Sequence, residues 1–161
     1  MRGLSFLVGS ELYAVDVTLV QKVARKLMIT PVPSSPAEIV GIANLKGRVV
    51  TVLSLDKILG DDELCEAERY INTIVFKSIS DNGDQMGLAV DKPGNLLDID
   101  DAEIRPPPLS ANDRGSFCIS GVAEIDNTFY RIIDIDSVHN KFVSGKDTVQ
   151  TKSSLGGTEN D

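Results

Sequence analysis

The stretch Val40-Gly41-Ile42-Ala43-Asn44-Leu45-Lys46-Gly47 decides the fold of this 161-residue chain, because a similar stretch recurs in the second half. It aligns without gaps on Ser120-Gly121-Val122-Ala123-Glu124-Ile125-Asp126-Asn127, and the likeness continues from residues 52–56 to residues 132–136. Each copy is a glycine-led β-favouring run, a short turn candidate and a second β-favouring run. The chain therefore contains an internal repeat built on a glycine-led hairpin.

The repeat extends toward the N-terminus of each half, where Tyr-Ala-Val-Asp at residues 13–16 resembles Leu-Ala-Val-Asp at residues 88–91. Each half is thus a hairpin, an excursion, the glycine-led hairpin and a short helix. About five short, twisted strands normally close into a small barrel, because closure removes exposed sheet edges. We predict an all-β fold of two small barrels with short helices. One larger sandwich with accidental self-similarity is the alternative.

The repeat also sets the expected domain boundaries. The two barrels are expected over about residues 10–68 and 70–135, inside a single domain of residues 1–143, and the N-terminal strand could be shared between them. The charged stretch 61–69 is typical of a linker or a loose helix. The tail 144–161 is rich in glycine, serine, threonine and charge, so we predict that it is disordered.

Composition excludes several classes of function. The formal net charge is −8 and the sequence pI is about 4.6, which disfavours binding to nucleic acid and direct insertion into an anionic membrane. No stretch reaches the ~20 apolar residues that span a bilayer, and the apolar N-terminal run is too short for a signal peptide. Cys65 and Cys118 form no CxxC motif. Two reduced thiols in a cytoplasmic protein are favoured over one disulfide.

The sequence offers no convincing active site. His139 is the single histidine and has no cysteine or histidine neighbour at metal-ligand spacing. No phosphate-binding glycine loop or nucleophile elbow is present. Asp134 and Asp136 fall where aspartate usually caps helices and turns, as does the cluster of aspartates at residues 98–101. We predict no catalysis, no cofactor and no metal, and a carboxylate-dependent enzyme is the weak alternative.

The order of the remaining motifs resembles a known family. Ile29-Thr30-Pro31-Val32-Pro33 supplies a proline-containing segment, the glycine-led core follows, and residues 48–55 continue as a strand. This is similar to the signature of the CheW family of chemotaxis coupling proteins: a proline segment, Gly-hydrophobic-hydrophobic-Asn-Leu-Arg-Gly, and then Pro-Val-hydrophobic-Asp-Leu. The resemblance covers roughly residues 4–142. Further landmarks are Phe6-Leu7-Val8, Tyr13-Ala14-Val15-Asp16, Gly87-Leu88-Ala89-Val90-Asp91 and Ile119-Ser120-Gly121-Val122-Ala123.

The resemblance implies two fused five-stranded SH3-like barrels without enzymatic activity. It further implies an adapter between the regulatory domain of the histidine kinase CheA and the cytoplasmic tip of methyl-accepting chemoreceptors. Such an adapter is cytoplasmic, reaches membrane-associated receptor arrays through its partners, and is expected to be a monomer on its own. A CheW-like adapter of another chemosensory pathway, for gliding or pilus motility, is the alternative.

Candidate partner-binding residues lie in two segments. Leu19, Val20, Val23 and Leu27 fall at helical spacing, which predicts a short helix over residues 19–26. Some of the candidates could instead be core residues, and the glycine could mark a strand bulge. The predicted partner-binding residues are Val20, Lys22, Val23, Gly41, Ile42, Asn44 and Lys46.

Two of these candidates depart from the family pattern. Lys46 replaces the motif arginine, and Lys22 stands where a glutamate commonly follows Val-x. Thr51 and Ser54 replace the proline and aspartate of the following strand. If the first two positions lie close together, opposite charges have become like charges. A partner would then need carboxylates opposite these two lysines. We therefore predict that the partner of this chain differs from the standard partner of the family.

Overall fold

The computed structural model describes residues 1–59, 70–78, 84–107 and 116–144. The expected linker at 61–69 and the tail beyond 144 lie outside these residues. Within the described ranges the strands are β1 Arg2–Val8, β2 Glu11–Asp16, β3 Val20–Met28, β4 Ile39–Leu45, β5 Arg48–Ser54, β6 Tyr70–Phe76, β7 Gln85–Val90, β8 Lys92–Asp98, β9 Ile119–Ile125 and β10 Thr128–Ile133. Two short helices follow the glycine-led hairpins, α1 Leu55–Leu59 and α2 Ile135–His139.

The strands form two five-stranded sheets, which confirms the all-β prediction and the strand count. One sheet has the order β3-β6-β7-β5-β4 and the other β8-β1-β2-β10-β9. We call the first barrel one and the second barrel two. Pairing is antiparallel except where β5 meets β7 and β10 meets β2.

The predicted division of the chain between the barrels is wrong. Barrel two includes the N-terminal hairpin β1–β2, and barrel one includes β6–β7 from beyond residue 70. Each half of the repeat therefore gives its leading hairpin to the barrel of the other half. The pattern along a strand records which face is buried and not which strand lies beside it, so the exchange leaves no mark in the sequence.

A backbone bridge joins the two ends of each sheet. Thr30 and Ile42 exchange two hydrogen bonds of 2.8 Å, and Arg105 and Val122 exchange two of 2.9 Å. The repeated glycine precedes the bridged residue in both barrels. A Cβ atom on Gly41 would lie 2.3 Å from the Thr30 carbonyl oxygen. The glycines are thus required by the close approach that closes the barrels.

The two glycine-led hairpins turn in the same way. Lys46 and Gly47 have φ of 54° and 85°, and Asp126 and Asn127 have φ of 53° and 65°. Two consecutive positive φ values define the type I′ turn, whose twist suits a two-residue hairpin. Both predicted turns are confirmed at the predicted residues.

The largest hydrophobic core is shared by the two barrels. Phe6 and Tyr13 of barrel two belong to the same buried cluster as Leu53, Ile74 and Phe76 of barrel one. A smaller cluster around Val50 and Val52 fills barrel one, and another around Ala14 and Ile132 fills barrel two. The barrels are therefore fused through their side chains as well as through the exchanged hairpins.

Candidate partner-binding surfaces

All seven predicted residues lie on barrel one, but not in the expected elements. Val20, Lys22 and Val23 belong to strand β3 and not to a helix. The Asp16 side chain caps only a three-residue 3₁₀ turn ahead of that strand. The helical spacing arises because two register irregularities interrupt β3, each adding an unpaired residue to the strand.

Val20 and Val23 line the seam between the barrels. Both are partly buried and pack against the shared core. Leu19, immediately before β3, is 38% exposed. Val20 and Val23 therefore contribute to the shared core, and Leu19 is an exposed apolar residue next to them.

Gly41 and Asn44 have structural roles that can be read from their contacts. Gly41 is buried at a register shift in β4, which bears out the interpretation of this glycine as a bulge. The Asn44 side-chain oxygen accepts a 2.9 Å hydrogen bond from the Gly47 backbone N–H and so braces the turn. Ile42, between them, is 36% exposed and is free to contact a partner.

The segment after β3 contacts β4 through an isolated antiparallel bridge between Thr30 and Ile42. Elsewhere β3 pairs with β6, where Lys22 lies opposite Val75, and a register irregularity between Ala24 and Leu27 interrupts the strand. The bridge register therefore does not extend to the lysines of β3, and the proximity of Lys22 to Lys46 stays a prediction.

Sequence reasoning missed an apolar patch on the outer face of barrel one. Met28, Ile42 and Val49 are 57%, 36% and 44% exposed, and we call these three residues the barrel-one patch. Asn44 lies directly opposite Val49, which makes Ile42 and Val49 diagonal neighbours about 7–8 Å apart. Met28 shares their face because it precedes the bridged Thr30 by two residues.

Two of the carboxylates considered for an active site, Asp134 and Asp98, make structural contacts. Asp134 accepts hydrogen bonds from the Ser137 backbone N–H at 3.3 Å and from the Ser137 hydroxyl at 2.9 Å, and so caps α2. Asp98 pairs with Arg2 at 3.3 Å. In the described part of the chain no three histidine, cysteine, aspartate or glutamate side chains are grouped as a metal site would require.

Tyr13 is a titratable residue whose pKa is shifted by its place in the shared core. Burial raises its pKa to about 12, and the nearby Arg131 guanidinium lowers it in part. The Tyr13 ring stacks on Phe6 with centroids 5.7 Å apart, and Arg131 lies 5.9 Å from the Tyr13 centroid. This arrangement is a packing contact in the shared core, not an acid–base pair.

Comparison with known proteins places the chain in a family. A family model described as a CheW-like domain matches residues 2–142, nearly the whole described chain. The chain belongs to the CheW-like domain family. No described helix of this CheW-like protein is long and apolar enough to cross a membrane.

Relatives of this CheW-like protein share its length as well as its sequence. It is 30% identical over 135 residues to the chemotaxis protein CheW of Thermotoga maritima, covering 84% of this chain and 85% of that one. It is 27% identical over 135 residues to CheW of Rhizobium meliloti, covering 84% of each. A solved structure, the scaffolding protein TtCheW of Thermoanaerobacter tengcongensis, matches with a TM-score of 0.71 and 29% identity, covering 82% of this chain and 87% of that one.

Proposed function

We propose that this protein is a non-catalytic adapter of bacterial chemotaxis signalling that couples chemoreceptors to the histidine kinase CheA. The CheW-like family match over residues 2–142 is the observation that carries the proposal. The description of the similar TtCheW as a scaffolding protein supports it. On this proposal the protein is cytoplasmic, is a monomer when isolated, and joins membrane-associated receptor arrays through its partners.

The geometry suits an adapter because the two barrels form one rigid support. Their shared core fixes the position of each barrel's surfaces relative to the other. The helical hairpin at the receptor tip would pack along the seam, where Leu19, Val20 and Val23 offer apolar contacts. The kinase regulatory domain would dock on a barrel surface that includes Ile42, Asn44 and Lys46.

Titration calorimetry of the full chain with the CheA regulatory domain from the same organism tests this proposal. We expect a dissociation constant in the micromolar range or tighter, in line with a specific signalling contact. A parallel titration with the receptor tip examines the second partner. Absence of heat with both partners at all concentrations up to the millimolar range would contradict the adapter function and leave only the fold assignment.

A further inference from the structure

Basic residues are concentrated on barrel one. From β3 to β5, residues 20–54, the chain carries five basic side chains and one acidic side chain, and the five basic ones are all exposed. They are Lys22, Arg25, Lys26, Lys46 and Arg48. The described residues from β8 to β10 in barrel two carry six acidic side chains and three basic ones. The two barrels thus share a strand pattern, but these segments carry a net positive charge in barrel one and a net negative charge in barrel two.

The cations of the two barrels differ in their partners. On barrel two, Arg2 pairs with Asp98 at 3.3 Å and Arg131 pairs with Glu11. Within the described ranges, none of the five cations of β3–β5 and their connections forms an ion pair. These five positive charges are therefore available to carboxylates from outside the chain.

Three of the five cations lie next to the barrel-one patch along the chain. Lys26 precedes Met28 by two residues on β3, Lys46 is the first residue of the β4–β5 turn, and Arg48 directly precedes Val49. An exposed apolar centre with a charged rim is the usual composition of a protein-docking surface. The positive rim selects partners with negative charge.

Two of these lysines occupy backbone positions that lysine seldom adopts. Lys26 has φ of 56° and Lys46 has φ of 54°, in the left-handed region where glycine, asparagine and aspartate are favoured. The equivalent turn position in barrel two holds Asp126, a residue type favoured in that region. Barrel one thus keeps a cation where the backbone favours a smaller polar residue, which is a mark of function more than of folding.

Resting on the proposed adapter function, we propose that the barrel-one patch docks a protein partner whose surface sets an apolar side chain among carboxylates. Met28, Ile42 and Val49 provide the apolar contact, and Lys26, Lys46 and Arg48 meet the carboxylates. The same partner surface is repelled by barrel two, where Glu124 and Asp126 occupy the equivalent hairpin. The charge difference therefore determines which of two similar barrels the partner selects.

The test compares two titrations of the full chain, one with the CheA regulatory domain and one with the receptor tip, at low and high salt. We expect the double variant Lys46→Glu/Arg48→Glu to bind the CheA regulatory domain, the partner proposed above for this surface, at least tenfold more weakly at low salt, with a smaller difference at high salt. The receptor tip should bind the double variant as it binds the wild type. Lys77→Glu/Lys92→Glu, two exposed lysines outside the patch with the same change in net charge, is the matched control and should bind as the wild type.

A second variant probes the apolar centre without altering charge. Met28→Ser removes an exposed side chain, so the fold should persist while binding to the same probe weakens. Replacing carboxylates of that probe with lysine should restore its binding to Lys46→Glu/Arg48→Glu. This rescue identifies the carboxylates that the cations meet.

The outcomes separate this inference from the adapter function. Wild-type binding that the double variant and Met28→Ser leave unchanged overturns the inference and leaves the adapter function standing. Absence of wild-type binding to either probe overturns both. Self-association of the wild type at low salt, lost in the double variant, would identify a second copy as the occupant and overturn the partner proposed.

Discussion

At the scale of single residues, Lys46 combines an unfavourable backbone with a retained charge. An L-residue in the left-handed region costs about 1–2 kcal/mol, and asparagine relieves much of that cost. We expect Lys46→Asn to raise the free energy of unfolding by about 0.5–1 kcal/mol, since Asn-Gly is a favoured type I′ pair. Urea unfolding followed by circular dichroism measures the change.

Lys22→Asn is the matched control for this substitution. Lys22 is also exposed, but it lies within β3 and has no positive φ, so asparagine should give no gain there. Equal effects of the two substitutions would contradict the backbone explanation. A stabilised Lys46→Asn protein that binds its partner more weakly would separate the requirements of folding from those of docking.

At the scale of elements, barrel closure rests on the repeated glycine of β4. A Cβ atom at position 41 would meet the Thr30 carbonyl oxygen at 2.3 Å, and both atoms belong to backbone that cannot move without opening the bridge. We expect Gly41→Ala to lower the free energy of unfolding by about 2–3 kcal/mol, the upper part of the range typical of overpacking, because the added methyl group meets backbone. Urea unfolding provides the measurement.

Gly47→Ala distinguishes steric closure from conformational strain. Gly47 has φ of 85° and nothing within 4 Å of its Cβ position, so alanine there should cost only about 1–2 kcal/mol. The two substitutions should also differ in amide exchange, because only Gly41→Ala exposes the Thr30–Ile42 hydrogen bonds. An unchanged Thr30 exchange rate in Gly41→Ala would refute the closure role.

Element types could be predicted wherever the hydrophobic pattern was regular. Both glycine-led hairpins have their turns at the predicted residues, since the repeat and the turn residues agreed there. The prediction of a helix at β3 was wrong because the register irregularities of this strand place Val20, Val23 and Leu27 at a helical spacing. A bulge is set by pairing with a neighbouring strand, which a single sequence does not record.

The binding role of the predicted residues stays a prediction, and the sequence pointed to only part of the patch proposed above. The glycine-led hairpin pointed to barrel one, and Ile42 is exposed there as a contact residue should be. Met28 and Val49 were missed because an exposed apolar residue has the same sequence pattern as a buried one.

At the scale of the whole molecule, the exchange of hairpins makes the two barrels one cooperative unit. Neither half of the repeat contains a complete barrel, and the largest core draws side chains from both. In a chain whose two barrels were each formed by one continuous half of the sequence, one barrel could unfold while the other stayed folded. This chain must lose both together, because removing either hairpin opens a barrel and the shared core at once.

Native-state amide exchange tests this coupling. Ile132→Val creates a small cavity in the interior of barrel two, where Ile132 is 5% exposed, and should cost about 0.5–1.5 kcal/mol. Amide exchange gives a free energy of opening for each amide. We expect this free energy to fall by the same amount at the slowest-exchanging amides of β7 in barrel one and of β2 in barrel two. Val52→Ala in the interior of barrel one should likewise lower the free energy of opening equally at the amides of β7 and of β2. A loss confined to the substituted barrel would mean that the exchanged hairpins do not couple the two.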